Sequence, residues 1–253
     1  MNSIFFYASE VDNSLKIQLR GERVGGIIER NPWVFDVLGG RSVKASVEGT
    51  GRGSLLITEI ENEILAAQFV PSGELLERVP LVLSVAIPRP QTIKKLVQLA
   101  GTVGLKELRF IKTDLGEKSY WKSKQLRPET VEQEIIKALE QSWDSEPLKW
   151  SIWESLSSVV GSEGVDCTWC ADTDGGDLLH EEVSGIKGGG KTNFGEKGVM
   201  QVLIGPEAGW SLREREYLVA KNIKRIGLGL RILRVETAAS LIVGSLLERL
   251  ERN

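Results

Sequence analysis

VMQVLIGPEAGWSLREREYLVAKNIKRIGLGLRILRVETAA, residues 199–239, decides how this chain is read. An apolar run from Val199 to Ile204 stops at Gly205-Pro206, and a tight Glu207-Ala208-Gly209 turn leads to Ser211. Ser211 and Glu214 stand at the S-x-x-E spacing of a capping box, which predicts a helix start. A second apolar run, Ile223–Leu228, gives way to the loop Gly229–Arg234, which leads into a last helix. Two strand–turn–helix units are therefore expected side by side, each turn at the carboxyl end of its strand. In open α/β sheets that edge is where ligands bind.

Working outward, the region from Pro80 onward alternates strands and helices. Leu81–Ile87 is a continuous apolar run of the kind buried on both faces. Ile93, Leu96, Val97 and Ala100 mark an amphipathic helix. Leu108–Ile111 is the next strand, and Pro128-Glu129 opens a helix with Val131, Ile135, Ala138 and Leu139 on one face. Residues 152–160 read as a weaker helix and Val165–Ala171 as a strand. The last helix, Arg234–Arg252, aligns Val235, Ala239, Ile242, Leu246 and Leu250, either as core or as a subunit interface. This alternation implies a mostly parallel sheet covered on both faces.

Residues 1–74 look different. Short apolar segments (Ile4–Tyr7, Leu15–Leu19, Trp33–Leu38, Val43–Val47, Leu55–Ile60) are punctuated by glycines, which predicts an all-β barrel or sandwich. Pro71-Ser72-Gly73 marks the boundary, dividing the chain into 1–74 and 75–253. Between Ser14 and Arg52 seven Lys/Arg face four Asp/Glu. Arg20, Arg23, Arg30 and Arg41 belong to that excess, which suits phosphate contact as well as it suits a solvated face. Lys118-Ser119-Tyr120-Trp121-Lys122 interleaves cations with aromatics. Lys118, Tyr120, Trp121 and Lys122 fit stacking on unpaired RNA bases, or a surface loop with two hydrophobic anchors.

Composition bounds the function. The chain has 253 residues, 41% apolar and 26% charged, as in ordinary globular proteins. No apolar run approaches the ~20 residues that span a bilayer, and MNSIFFYASEVDN has no signal-peptide layout, so a cytoplasmic location without membrane contact is expected. A net charge of −3 excludes RNA binding by bulk charge alone. Cys167 and Cys170 form a lone C-x-x-C in strand-like surroundings, read as structural thiols rather than a redox pair. With one histidine, His180, and no second C-x-x-C, no metal site is expected. Gly185–Thr192 matches G-x-x-x-x-G-K-T, but no strand precedes it and further glycines follow, so it reads as a flexible loop and not a nucleotide cradle.

Ile204–Ser211, IGPEAGWS, resembles the I-G-P-E-G-G-[FW]-S element of the 16S ribosomal RNA uracil-N3 methyltransferases, the RsmE family of the SPOUT superfamily. Leu228–Ala238, LGLRILRVETA, matches that family's L-G-x-R-I-L-R-x-E-T-A throughout, and Glu140-Gln141-Ser142 stands where the family has E-Q-[SAC]. The resemblance implies an α/β fold: a C-terminal trefoil-knotted SPOUT methyltransferase domain after an N-terminal PUA-like β-barrel that helps hold RNA. It further implies S-adenosyl-L-methionine as donor, ribosomal RNA or the small ribosomal subunit as partner, and a homodimer. Departures are a glycine replaced by Ala208, the missing Lys and Glu in Leu99–Leu105, Trp143-Asp144 where an arginine is usual, and no H-x-x-R-V-L-R element.

On this resemblance, the cofactor is expected against Ile204, Gly205, Pro206, Glu207, Gly209, Leu228, Gly229, Ile232, Leu233 and Thr237. Arg234 is expected to stabilise the uracil anion as the methyl group is transferred. Arg231 would hold RNA phosphate or the cofactor carboxylate, and Glu207 or Glu236 would take the N3 proton. A related methyltransferase acting on another RNA nucleotide, or a non-catalytic RNA- or nucleotide-binding protein, are the alternatives.

Overall fold

The computed structural model describes residues 3–32, 42–61, 63–173, 177–179 and 198–250. The strand expected at Trp33–Leu38, Arg41, His180 and the Gly185–Thr192 segment lie outside the described residues. Contacts divide the chain into two compact units, Met1–Glu77 with Ile135–Pro147, and Arg78–Glu134 with Leu148–Asn253.

The first unit is a five-stranded sheet of β1 (Ile4–Phe6), β2 (Lys16–Arg20), β3 (Ser42–Val47), β4 (Gly51–Glu61) and β5 (Ile64–Pro71), in the order β1-β3-β4-β5-β2. Only the β1–β3 pair is parallel. Along β5, Leu65, Ala67 and Phe69 are buried at every second position, the period of a strand with one face inward. A Cβ on Gly53 would run into the Val70 carbonyl and the Phe69 ring, so glycine lets Phe69 lie across β4. The unit is not all-β as expected: Glu22–Arg30 is helix α1. Gly25-Gly26 cost that helix about 1 kcal/mol each relative to alanine. Val24 and Ile27 at helical spacing are fully buried in the core with Phe6, Ile17 and Leu65, and that burial outweighs the glycines.

The second unit is a seven-stranded, wholly parallel sheet. Its elements are β6 (Val79–Ala86), α2 (Pro90–Val103), β7 (Leu105–Ile111), α3 (Pro128–Ser142, whose second half belongs to the first unit), β8 (Lys149–Trp153), α4 (Leu156–Val159), β9 (Cys167–Ala171), β10 (Asp177–Leu178), β11 (Met200–Ile204), α5 (Leu212–Ala220), β12 (Lys224–Gly227) and α6 (Val235–Leu250). The helix read at 152–160 is instead β8 followed by a four-residue helix capped by Ser155. Trp150, Ile152 and Trp153 favour a pleated surface, and β8 pairs with β7 from Glu107↔Lys149 to Ile111↔Trp153.

The strand order is β10-β12-β9-β11-β6-β7-β8. The two strand–turn–helix units are thus not side by side, because β9 lies between β11 and β12. Ile204 aligns with Ala171 and Ala171 with Ile226, so all three strands end level at one carboxyl edge. Inside the sheet, fully buried Gln201 donates to Ser84 Oγ at 2.8 Å and accepts from Thr168 Oγ1 at 3.1 Å, tying β6, β11 and β9 together. On α6 the expected stripe Val235, Ala239, Ile242 and Leu246 is buried within this chain, while Leu241 and Gly244 stay exposed.

Candidate active site

The turn after β11 is fixed from both sides. Ser211 caps α5 as its spacing predicts: its hydroxyl accepts from Glu214 N at 3.1 Å, and the Glu214 carboxylate accepts from Ser211 N at 2.9 Å. Gly209 has φ +76°, a conformation cheap only for glycine. A Cβ on Gly205 would meet the Trp210 indole at 3.0 Å, and Trp210 is buried with Ile111, Leu156, Cys170, Leu203 and Leu218. Its bare Cα therefore leaves room for the Trp210 ring. Ile204 and Pro206 are buried and Glu207 is exposed, within 3.7 Å of Arg89.

The turn after β12 is open. Gly229 has φ +107° with nothing within 4 Å of where a Cβ would lie. Leu230 and Ile232 are 103% and 87% exposed, an unusual state for two aliphatic side chains in one loop. Leu228 and Leu233 are half-buried, and Arg231, Arg234 and Thr237 are exposed. Among the described residues neither Arg231 nor Arg234 has an ion-pair partner. Glu236 is anchored: it accepts from Thr92 Oγ1 at 3.3 Å and Lys95 Nζ at 3.0 Å. Its own backbone N–H, and then Lys95, hold its carboxyl below the usual range. It therefore stays ionised, and its contribution to the fold is complete above ~4.3 and lost only as pH falls below that. Of the two carboxylates considered as proton acceptor, Glu207 is the less committed.

Between the two turns, at the end of β9, sits Asp172, which the sequence did not single out. Its side chain is 4% exposed and accepts from Arg215 at 3.1 Å and pairs with Arg225 at 3.0 Å. Arg215 also donates to the Trp210 carbonyl at 3.2 Å. One carboxylate thus ties β9, β12 and α5 beneath the candidate site.

The two cysteines lie on β9. Burial, then Asp172, pushes the Cys170 thiol up to about 12, and burial also raises that of half-buried Cys167. Positions three apart on a strand point to opposite faces, which a redox pair cannot use. With iodoacetamide at pH 8, Cys170 is expected to stay unmodified in the folded protein and Cys167 to react slowly. Peptide mass spectrometry before and after denaturation reads this directly, and rapid native labelling of Cys170 would contradict it.

The expected RNA contacts divide. Arg20 is exposed on β2. Arg23 is held by Glu10, by the Phe5 carbonyl at 2.8 Å and over the Tyr7 ring. Arg30 pairs with buried Glu140 at 2.9 and 3.3 Å. Trp143 donates to the Ala45 carbonyl at 2.8 Å under Lys44. Arg30→Ala is expected to destabilise the first unit by about 2 kcal/mol, because Glu140 is left buried without its partner. Urea unfolding checks it; unchanged stability with weakened RNA binding would return Arg30 to the RNA surface.

Beyond β7 and β8 lies a cavity of about 510 Å³. Lys118 and Trp121 line it with Thr113, Arg213 and Tyr217, whereas Tyr120 and Lys122 do not. Asp114 bridges its wall, accepting from Ser211 Oγ at 2.6 Å and from Arg213 at 2.6 and 3.1 Å. The Ser211 bond, then Arg213, keeps its carboxyl below the usual range. Sequence reading missed Thr113, Asp114, Arg213 and Tyr217, since no local spacing links residues a hundred positions apart.

The profile of the family described as RNA methyltransferase domain matches residues 76–247. The chain is 28% identical over 213 residues, 81% of itself and 76% of the relative, to the ribosomal RNA small subunit methyltransferase E of Treponema pallidum. In structure it is similar to a ribosomal RNA small subunit methyltransferase E from Neisseria gonorrhoeae bound to S-adenosyl methionine (TM-score 0.71, 16% identity, 98% of this chain and 97% of that one). It is also similar to a methyltransferase from Legionella pneumophila with bound cofactor SAM (TM-score 0.72, 16% identity, 100% and 98%). These likenesses show the fold: an α/β domain with a parallel sheet and an N-terminal β-sheet unit.

Proposed function

The chain belongs to the RNA methyltransferase domain family, and on that premise we propose that it transfers a methyl group from S-adenosyl-L-methionine to N3 of a uridine in the 16S RNA of the small ribosomal subunit. The observation that carries this reading is the Leu228–Arg234 loop, whose bare Gly229 has no neighbour within 4 Å among the described residues and whose Leu230 and Ile232 are exposed beside two arginines in no ion pair among those residues. The names of the Treponema and Neisseria relatives support the substrate and the donor.

The residues fit the cofactor. Open space at Gly229 admits a flat ring against backbone, and Ile204, Leu228, Ile232 and Leu233 offer an aliphatic wall with free amides and carbonyls to read its edge. Gly205, Pro206, Gly209 and Thr237 border the same two turns, and Gly205 also leaves room for the Trp210 ring. When bound, the cofactor supplies an electrophilic methyl group on sulfur. The chain has to orient uridine so that N3 lies in line with that bond. Exposed Glu207 takes the N3 proton, and Arg234 meets the charge that then builds on uracil O2 and O4. Arg231, one residue from the exposed aliphatics, meets RNA phosphate or the cofactor carboxylate.

Residues 1–74 serve as the RNA-holding β-domain, with Arg20 the proposed phosphate contact least engaged elsewhere, and residues 75–253 as the transferase. A homodimer in which a second copy covers Leu230, Ile232 or Leu241 completes the proposal. No helix among the described residues is long and apolar enough to cross a membrane, and a ribosomal substrate places the protein in the cytoplasm.

Incubation with labelled S-adenosylmethionine and unmodified small subunits, followed by digestion to nucleosides, tests the reading. Label in 3-methyluridine is the expected result. Label in another nucleoside retracts the target and keeps the family; no label and no cofactor binding retract the proposal.

A further inference from the structure

We propose that the cavity at the β7–β8 end of the carboxyl edge holds an unpaired nucleobase of the RNA, beside the place where the target uridine is methylated. The inference rests on the methyltransferase reading above and adds a second point at which RNA is gripped.

Position is the first support. The cavity opens on the same carboxyl edge as the Gly205–Ser211 turn, and β7 is two strands from β11, about 10 Å at ordinary strand spacing. Helix α5 starts at the end of that turn, and its first residues, Arg213 and Glu214, form one wall. A single strand leaving the methylation site reaches the cavity along that helix.

Chemistry is the second. Three cations line the space, Lys112, Lys118 and Arg213, but so do three carboxylates, Asp114, Glu154 and Glu214. Lys112 is paired with Glu154 at 2.6 Å and Arg213 with Asp114 at 2.6 Å. A lining balanced in this way does not select a phosphate or another anion; it suits a neutral ring with polar edges. Trp121 and Tyr217 supply aromatic surface on which a base of any sequence can stack.

The wall is tightly built. Thr113 is 5% exposed, and a Cβ on Gly116 would lie 2.8 Å from Thr113 Oγ1 and 3.5 Å from Trp121 Nε1, so glycine lets the backbone close over both and fixes the Trp121 ring in the cavity wall. Lys118, exposed and in no ion pair among the described residues, is placed on the rim for the adjoining phosphate.

The test uses the full chain and a single-stranded RNA oligonucleotide carrying 5-iodouridine, photo-crosslinked and mapped by mass spectrometry, with RNA affinity and S-adenosylmethionine affinity measured separately. Crosslinks are expected at Trp121 or Tyr217. Trp121→Leu is expected to weaken RNA binding about tenfold, as loss of one base–aromatic stack does, with cofactor affinity changed less than about twofold. Lys118→Ala, on the rim where folding is not at stake, is expected to reduce the salt dependence of RNA binding by about one counterion. Crosslinks found only elsewhere, or both variants binding RNA like the parent, overturn the proposal. Cofactor affinity falling in step with RNA affinity overturns it too, by giving the cavity to the cofactor. None of these readouts needs turnover, so a protein that fails to methylate small subunits leaves the cavity result standing, and the reverse.

Discussion

Arg234→Ala is expected to lower turnover of uridine methylation about 100-fold while leaving cofactor affinity nearly unchanged. Arg234 stands at the mouth of α6, exposed and in no ion pair among the described residues, and its carbonyl accepts from Ala238 N at 2.9 Å. Removing its side chain therefore breaks no hydrogen bond or ion pair seen among the described residues. On the proposed mechanism, what is lost is a guanidinium that faces the uracil oxygens as N3 gives up its proton, a group that matters only once charge builds. Single-turnover rates on small subunits, with cofactor binding by calorimetry, separate the effects. Normal turnover in the variant would move the stabilising role to Arg231. A loss of cofactor affinity equal to the loss of rate would make Arg234 a binding residue.

Asp172→Ala is expected to cost about 2–3 kcal/mol of stability, lowering Tm by about 5–10 °C for a unit of this size. It should also weaken cofactor binding even though Asp172 carries no proposed contact to the cofactor. The carboxylate holds Arg215 and Arg225 together. Without it two guanidinium groups repel across the end of β9, and Arg215 loses the partner that keeps it on the Trp210 carbonyl. The figure is kept near the low end for a broken pair because both arginines are about a third exposed and can turn to water. Asp172→Asn retains the shape without the charge and should fall between. Calorimetric unfolding of the three proteins checks the order; parent-like stability of the alanine variant would reduce Asp172 to a bystander.

Most of the second unit was legible because its signals are local. Apolar runs, the Ser211–Glu214 cap and the helical stripe of Val235, Ala239, Ile242 and Leu246 are read within a few residues of one another. The first unit was less so. Gly25-Gly26 reads as a turn until Val24 and Ile27 are seen buried in one core with residues from all five strands. The segment 152–160 failed because Trp150 and Ile152 pair with β7, a contact that lies some forty positions away. The two loops of the site were legible as motifs, but not their spacing: nothing in residues 199–239 says that β9 stands between β11 and β12. For the same reason Asp172 and Arg213 were invisible, since each takes its meaning from a partner far along the chain.

The position of β11 has a consequence for how the molecule is made. It enters between β6 and β9, both of which precede it by thirty residues or more. Until β11 is made, β6, β7 and β8 pair with the β6 edge open, and β9, whose partners are β11 and β12, has no strand of the sheet to pair with. Open edges of this kind recruit other strands, and pairings so distant in sequence close slowly. Synthesis of this chain thus passes through an interval in which the strand bearing the Gly205 turn is also the plug that keeps the nascent protein from aggregating.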